Sequence, residues 1–332
     1  MLSLHRSSWL LALQLALLQL LSQLLRGSST TGGWPLSAQT KTFSIAHKPG
    51  LGIKPGQELL LFNYSASATG THMVTQSWFT GSLPWPQFGD TLIQFYIDHE
   101  TQPSVAITIN NFVGIGDANA STTHEHVPAP WGNEHHGSVG VGGGRYTAIR
   151  VPFSIHLRIT ALMSPGQSEG RSLYCMFRGL EHFAVILGGL ELPSNARLRS
   201  VSARGVLLAP TEWVTLVNTS SSASKGKGGA LLMVMQTVHS GNSHCLEGTH
   251  LATIDGAKTV LSSGFEDYYL SGQYFDAGPF ATAVSGSELQ LAPRLICWCV
   301  LLRCSLLACC LPTAQALLSV MCYQLRSTSL PQ

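Results

Sequence analysis

The sequence predicts an all-β fold, a sandwich or jelly roll, on three observations. Glycine is abundant, at 33 of 332 residues, and with Ser and Pro it punctuates the chain at short intervals. Short apolar runs lie between those turns, as in "LIQFYI" (92–97) and "LLMVMQTV" (231–238). Sustained helical periodicity is missing after residue 30. The net charge is +2 with 11% charged residues, and there is no basic cluster, so a nucleic-acid partner is not expected.

The elements follow in order. His5 and Arg6 precede a leucine-rich run, and small residues follow it. Residues 1–28 therefore read as a secretory signal peptide, with an uncleaved anchor as the competing reading. Residues 29–45 are small and polar, a flexible lead. Sequons begin at Asn63, Asn119 and Asn218 and suit a secreted or lumenal chain. Residues 46–200 read as a first β-sandwich region. Within it, 57–80 gives two strands around a Ser/Gly turn. Leu92, Gln94 and Tyr96 alternate with Ile93, Phe95 and Ile97, and "DHETQP" turns the chain into "SVAITI", a hairpin. Residues 115–145 read as a long loop with His124, His126, His135 and His136. Their spacing fits no metal-ligand pattern, so the loop reads as solvated or substrate-edge and no metal is expected. "RYTAIRVPFSIHLRITALM" and "SLYCMFRGL" return to strand.

Residues 201–288 read as a second sandwich region, with strands in "SVSARGVLLA" and "GALLMVMQTVHSG". Cys175 and Cys245 leave a disulfide open, which spacing alone does not decide. From about Leu289 acids vanish and Leu and Cys take over. Arg303 and Pro312 deny this tail a clean membrane span of about 18 residues, so membrane contact through it is not expected. Residues 289–332 are read as lying outside the fold, as a retained intron or gene-model error would produce.

The stretch "HCLEGTHLATIDGAKTVLSSGFEDYYLSGQYF" (244–275) carries the chemistry. "DG" between apolar runs signals a hairpin. With Ile254 facing Ala257, Glu247 lies opposite Gly264, and Glu266 follows two residues on, on the same face. Such diagonal neighbours have Cβ atoms roughly 7 Å apart. Retaining glycosidases hold two carboxyl groups about 5–5.5 Å apart, one as nucleophile and one as acid/base. Like charges at that range repel and keep one of them protonated. Tyr268, Tyr269, Tyr274 and Phe275 would wall such a pocket. The plainer reading makes these acids a solvated strand face.

Five blocks in order resemble glycoside hydrolase family 172, formerly domain-of-unknown-function family 2961. They are "GTHMVTQSWFTG" (70–81), "QFYIDHETQPSVAITINNFVGIG" (94–116), "YTAIRVPFSIHLRIT" (146–160), "LEGTHLATIDG" (246–256) and "GFEDYY" (264–269). Its members are difructose-dianhydride synthases, α-D-fructofuranosidases and α-D-arabinofuranosidases. The resemblance implies two jelly-roll-like β-sandwiches, a retaining mechanism on furanosides without a cofactor, and a homo-oligomer. It maps the catalytic pair onto Glu247 and Glu266, with Glu247 leaning to nucleophile and Glu266 to proton donor. Asp267, Tyr268, Tyr269, Trp78 and Trp131 become candidate substrate contacts. Two departures stand out: Phe265 replaces the family's usual Thr, and the Leu/Cys tail stands where the family continues with further strands. The second sandwich is thus expected to be incomplete. The alternative function is a truncated, non-catalytic carbohydrate-binding or structural sandwich.

Overall fold

The computed structural model of the chain describes residues 40–47, 51–81, 87–115, 131–139, 144–165, 171–187, 190–208, 212–217, 229–239, 246–254, 257–271, 275–276, 278, 280–291, 294–300, 305–310 and 314–325. The expected signal peptide, the sequons at Asn119 and Asn218, and His124 and His126 lie outside the described residues.

The protein is all-β, built from antiparallel sheets. Eight strands form the first pair of sheets: β1 (Lys41–Ala46), β2 (Glu58–Ser65), β3 (His72–Gly81), β4 (Leu92–Ile97), β5 (Val105–Thr108), β6 (Arg145–Thr147), β7 (His156–Leu162) and β8 (Arg171–Glu181). Their orders are β1-β8-β3-β6 and β2-β7-β4-β5, the double Greek key of a jelly roll. Leu51–Ile53 and Val151–Phe153 add short pairings to β8 and β3. Trp131–Gly132 and His136–Ser138 extend the larger sheet beyond β6.

Alternation decides what faces inward. On β4, Ile93, Phe95 and Ile97 are fully buried. Phe95 meets Phe177 of β8 edge to face at 6.4 Å, and Phe62 of β2 stacks on Phe177 at 6.1 Å. These rings lock the two sheets together. Burying each such side chain is worth about 1.5–3 kcal/mol. Cys175 is a free thiol in this core, and burial pushes its pKa up to about 12.

The second pair of sheets contains β9 (Ala196–Leu208), β10 (Glu212–Val217), β11 (Gly229–His239), β12 (His250–Ile254), β13 (Ala257–Ser262), β14 (Arg294–Val300), β15 (Ser305–Cys310) and β16 (Ala314–Leu325). Their orders are β9-β16-β11-β14 and β10-β15-β12-β13. This is the first jelly roll's order again, offset by eight strands. Ser285–Leu291 and Phe280–Ala281 extend the larger sheet past β14.

This topology corrects the expectation for residues 289–332. The Leu/Cys tail supplies β14, β15 and β16, so the second jelly roll has all eight of its places filled. β16 runs between β9 and β11, and β15 between β10 and β12. The runs that form these strands are short, apolar and free of acids, and patterning alone does not separate such runs from a membrane or unrelated segment. We expect a chain ended after Glu288 to bare the edges of β9, β10, β11 and β12 and to aggregate. Soluble yield of the shortened and full chains checks this, and equal yields would argue against it.

Three smaller expectations are also corrected. β1 begins at Lys41, inside the presumed flexible lead. β9 straddles the boundary drawn between residues 200 and 201. The presumed loop at 115–145 contains the strands Trp131–Gly132, His136–Ser138 and the start of β6.

A polar junction joins the two jelly rolls. Asp98 sits at the tip of the β4–β5 hairpin at a left-handed φ of 52°. Its Oδ1 accepts from the backbone amides of Ser154 and Ile155 at 2.8 Å each, and from that of His156 at 3.3 Å. Its Oδ2 accepts from the buried Arg197 of β9. Arg199 donates to Glu100 at 2.9 Å. The Ser200 hydroxyl accepts from the Ala106 amide at 2.8 Å, satisfying part of the edge of β5.

Candidate carboxylate site

The β12–β13 hairpin forms as its sequence predicts, with Ile254 opposite Ala257 and Thr253 opposite Lys258. A bulge between His250 and Leu251 then shifts the register, so that His250 faces Ser262. The turn residues Asp255 and Gly256 lie outside the described residues. Neither glutamate lies on the hairpin strands, and the expected diagonal placement is corrected. Glu247 lies in a 3-10 turn before β12. Glu266 lies in the single-turn helix α1 (Phe265–Tyr268) after β13. The cause is visible in the apolar spacing. Phe265, Tyr268 and Tyr269 are buried at i, i+3 and i+4, which is a helical repeat. Gly264 caps the turn in an extended conformation.

Glu266 is half-buried, and its carboxyl folds back over Gly264. A Cβ at residue 264 would lie 3.0 Å from Glu266 Oε2 and 3.1 Å from Oε1. Oε2 is buried without a hydrogen-bond partner. Burial raises the Glu266 pKa above the usual carboxylate range, against the pull of its own backbone amide. The charges of Glu247 and Asp267 raise it further. The exposed Glu247 is therefore close enough to act on it electrostatically. The arrangement sets a half-buried carboxyl of raised pKa beside a second, solvent-facing one.

Behind α1 lies a buried polar network that sequence reading missed. Gln236 Oε1 of β11 accepts from the Tyr269 hydroxyl at 2.6 Å and lies 2.9 Å from His250 Nε2. An amide oxygen only accepts, so His250 carries its proton on Nε2. His250 Nδ1 then accepts from the Ser262 hydroxyl at 3.2 Å. The His250 ring lies flat on Tyr268 at 4.0 Å and meets Phe265 edge-on at 4.7 Å. The one available signal was a histidine on an apolar strand immediately after Glu247.

Burial lowers the pKa of His250 to about 3. His136, in the first jelly roll, is lowered to about 3 by burial and by the neighbouring His135. An unfolded histidine titrates near about 6.5. Both folded values are depressed, so the unfolded chain binds more protons below that point, and stability falls as pH drops from about 6.5 toward 3. We expect His250→Asn to lower Tm at neutral pH and to make its loss on acidification shallower. Thermal melts across that window check this, and an unchanged slope would contradict it.

The other expected substrate contacts divide. Asp267 is exposed and accepts from the Ser263 hydroxyl. Tyr268 and Tyr269 are buried in the network, with ring centroids 4.9 Å apart. Their expected role as sugar-stacking walls is corrected, because both rings are buried, Tyr268 under His250 and Tyr269 with its hydroxyl held by Gln236. Phe275, the other expected wall that is described, is fully buried, and Tyr274 lies outside the described residues. Trp78 is half-buried on β3, opposite Met176 and Tyr146. Its Nε1 would lie 2.1 Å from a Cβ at Gly144, so the indole packs on that backbone. Trp131 pairs with Ser138 on an edge strand of the first jelly roll's larger sheet, two residues before Asn133, whose side chain donates to the Thr282 and Ala283 carbonyls at 3.1 Å each. Both tryptophans thus belong to the first jelly roll, whereas the carboxylate pair belongs to the second.

One further cluster has ligand-type atoms within 4.8 Å of one another: His72, Glu181 and His182. Its donors are already engaged. His72 Nε2 lies 2.8 Å from the Ala68 carbonyl, and the His182 amide donates to His72 Nδ1 at 3.2 Å. Glu181 accepts from Tyr64 and Ser67 hydroxyls at 2.5 Å each and from the Ser67 amide at 3.1 Å. Burial would raise the Glu181 pKa, but these hydrogen bonds win and hold it at about 2. His72 and Glu181 are thus held by hydrogen bonds, and His182 Nε2 lies 3.7 Å from Glu181 Oε2.

No family model and no curated protein matches the chain. Among solved structures, it is similar to one described as the STIV MCP, at 8% identity and a TM-score of 0.40, over 86% of this chain and 97% of that one. It is also similar to a chain in the structure of Sulfolobus Turreted Icosahedral Virus, at 12% identity and a TM-score of 0.22, over 83% of this chain and 60% of that one. Likeness at these scores carries no argument about function. Among the described residues, no helix is long and apolar enough to cross a membrane.

Proposed function

We propose that the protein is a secreted retaining glycoside hydrolase or transglycosidase that acts on furanosides through Glu247 and Glu266. The observation that carries the reading is the buried, unpartnered Oε2 of Glu266 beside the charge of Glu247. A buried carboxylate oxygen without a partner is costly, and such groups concentrate where a ligand or a proton completes the site. The five sequence blocks supply the furanoside class, fructofuranosyl or arabinofuranosyl. Fold alone supplies no substrate.

The reaction needs two steps. One carboxylate attacks the anomeric carbon while the other carboxyl gives its proton to the departing oxygen. Water, or a second sugar hydroxyl, then loses its proton to that second group and displaces the sugar with net retention. The raised Glu266 pKa favours Glu266 as the proton carrier in the free protein and leaves Glu247 as nucleophile. Asp267 is placed to bind a sugar hydroxyl or to hold the turn. The chemistry calls on no metal or organic cofactor. A homo-oligomer and a secretory location belong to the same proposal.

The non-catalytic reading rested on missing closing strands, and β14, β15 and β16 occupy those places. Turnover of aryl α-fructofuranosides and α-arabinofuranosides, with the product anomer followed by NMR, tests the proposal. Retention at the anomeric carbon is expected. Sugar binding without turnover of either class would instead support a binding module.

A further inference from the structure

We propose that Asn63 carries an N-linked oligosaccharide. A sequon inside a β-strand is an unpromising acceptor, because one-half of strand residues face the core. The strand here solves this with a bulge. β2 pairs Ile159 of β7 with Phe62 and Thr160 with Leu60, leaving Leu61 as the extra residue. Leu61 and Phe62 are both buried, and the outward positions change parity across them. Glu58 and Leu60 face out before the bulge; Asn63 and Ser65 face out after it. Without that extra residue the Asn63 side chain would point into the core.

The local geometry leaves the reacting atoms available. Asn63 and Ser65 are exposed, and the intervening Tyr64 turns inward to Glu181. Asn63 Oδ1 lies 2.7 Å from His156 Nε2, which orients the carboxamide. Among the described residues, its Nδ2 makes no hydrogen bond. In the transfer, Nδ2 bonds to the anomeric carbon of a polyprenyl-diphosphate-linked oligosaccharide. The carbon–oxygen bond to the diphosphate breaks, and the amide proton passes to a base of the membrane transferase. The glycan would then cover the outer face of the smaller sheet, where Leu60 is 52% exposed. Oligosaccharide over an isolated apolar side chain on an open sheet face opposes sheet-to-sheet association.

The inference rests on the secretory route proposed above but not on glycosidase activity. The test expresses the full chain in a secreting eukaryotic culture and recovers it separately from medium, membranes and cytosol. Amidase release of N-glycans in heavy-oxygen water converts a glycosylated Asn to labelled Asp, which peptide mass spectrometry locates. Labelled Asp at residue 63 is expected, lost in Asn63→Gln and Ser65→Ala and restored in Ser65→Thr. An unlabelled Asn63 in chain from medium or membranes overturns the assignment while leaving secretion standing. Chain found only in the cytosol and unlabelled overturns both.

Discussion

Glu266→Gln is expected to lower furanoside turnover by about 10²–10⁴-fold while making the folded chain more stable at neutral pH. Two opposite effects from one substitution follow from the same cause. Burial first, and then the Glu247 and Asp267 charges, raise the folded pKa of Glu266. The stability this group contributes is therefore full below its unfolded pKa of about 4.3 and is lost as pH rises through the folded value. Glutamine keeps the shape and removes the charge that is costly at neutral pH. Glu247→Gln should lose turnover on a similar scale without the same gain in Tm, because Glu247 is exposed. Steady-state rates and melts on the same preparations check both. A Glu266→Gln variant that turns over normally, or that melts lower, would contradict the assignment.

Asp98→Ala is expected to destabilise the molecule by about 3–5 kcal/mol, a Tm drop on the order of 10 °C. Asp98 is the acceptor for three consecutive backbone amides and for Arg197. The ion pair is almost fully buried, with 4% and 5% side-chain exposure. Removing the carboxylate leaves Arg197 as an uncompensated buried charge and three amides short of an acceptor. Because Asp98 lies on the first jelly roll and Arg197 on the second, the loss should also loosen the junction. Chemical denaturation should then separate into two transitions. A single transition at nearly unchanged midpoint would show that the junction does not rest on this pair.

Much of the first jelly roll was readable from alternation. On β4, Ile93, Phe95 and Ile97 are buried while Leu92 and Gln94 are partly exposed, and "DHETQP" breaks the run where the hairpin turns. The closing strands of the second jelly roll are harder to read, because "AQALLSVMCYQL" of β16 shows no alternation and the tail differs in composition from the rest of the chain.

At the candidate site, the "LEG" and "GFEDYY" blocks single out Glu247 and Glu266 but not their local conformation. A strand was expected across "GFEDYY", where the spacing of Phe265, Tyr268 and Tyr269 was already that of a helical turn. That turn moves the tyrosines from the pocket wall into the core and turns Glu266 back over Gly264. The His250–Gln236 network was out of reach, since Gln236 and His250 come together only through strand pairing and sheet packing. Asp98 and His99, at φ of 52° and 62°, show the same limit: turn geometry that favours glycine is held here by the Asp98 hydrogen bonds and by His99 stacked on His156 at 4.3 Å.

The central claim, that these two glutamates form a retaining pair, is tested most directly by covalent trapping. The full-length protein would be incubated with an epoxide-bearing carbocyclic mimic of a furanose, digested, and read by peptide mass spectrometry. The account predicts one label per chain, on Glu247, with Glu266→Gln slowing its formation. A label on Glu266 would keep the pair and exchange the roles. No label, or a label on a residue outside the pair, would contradict the claim.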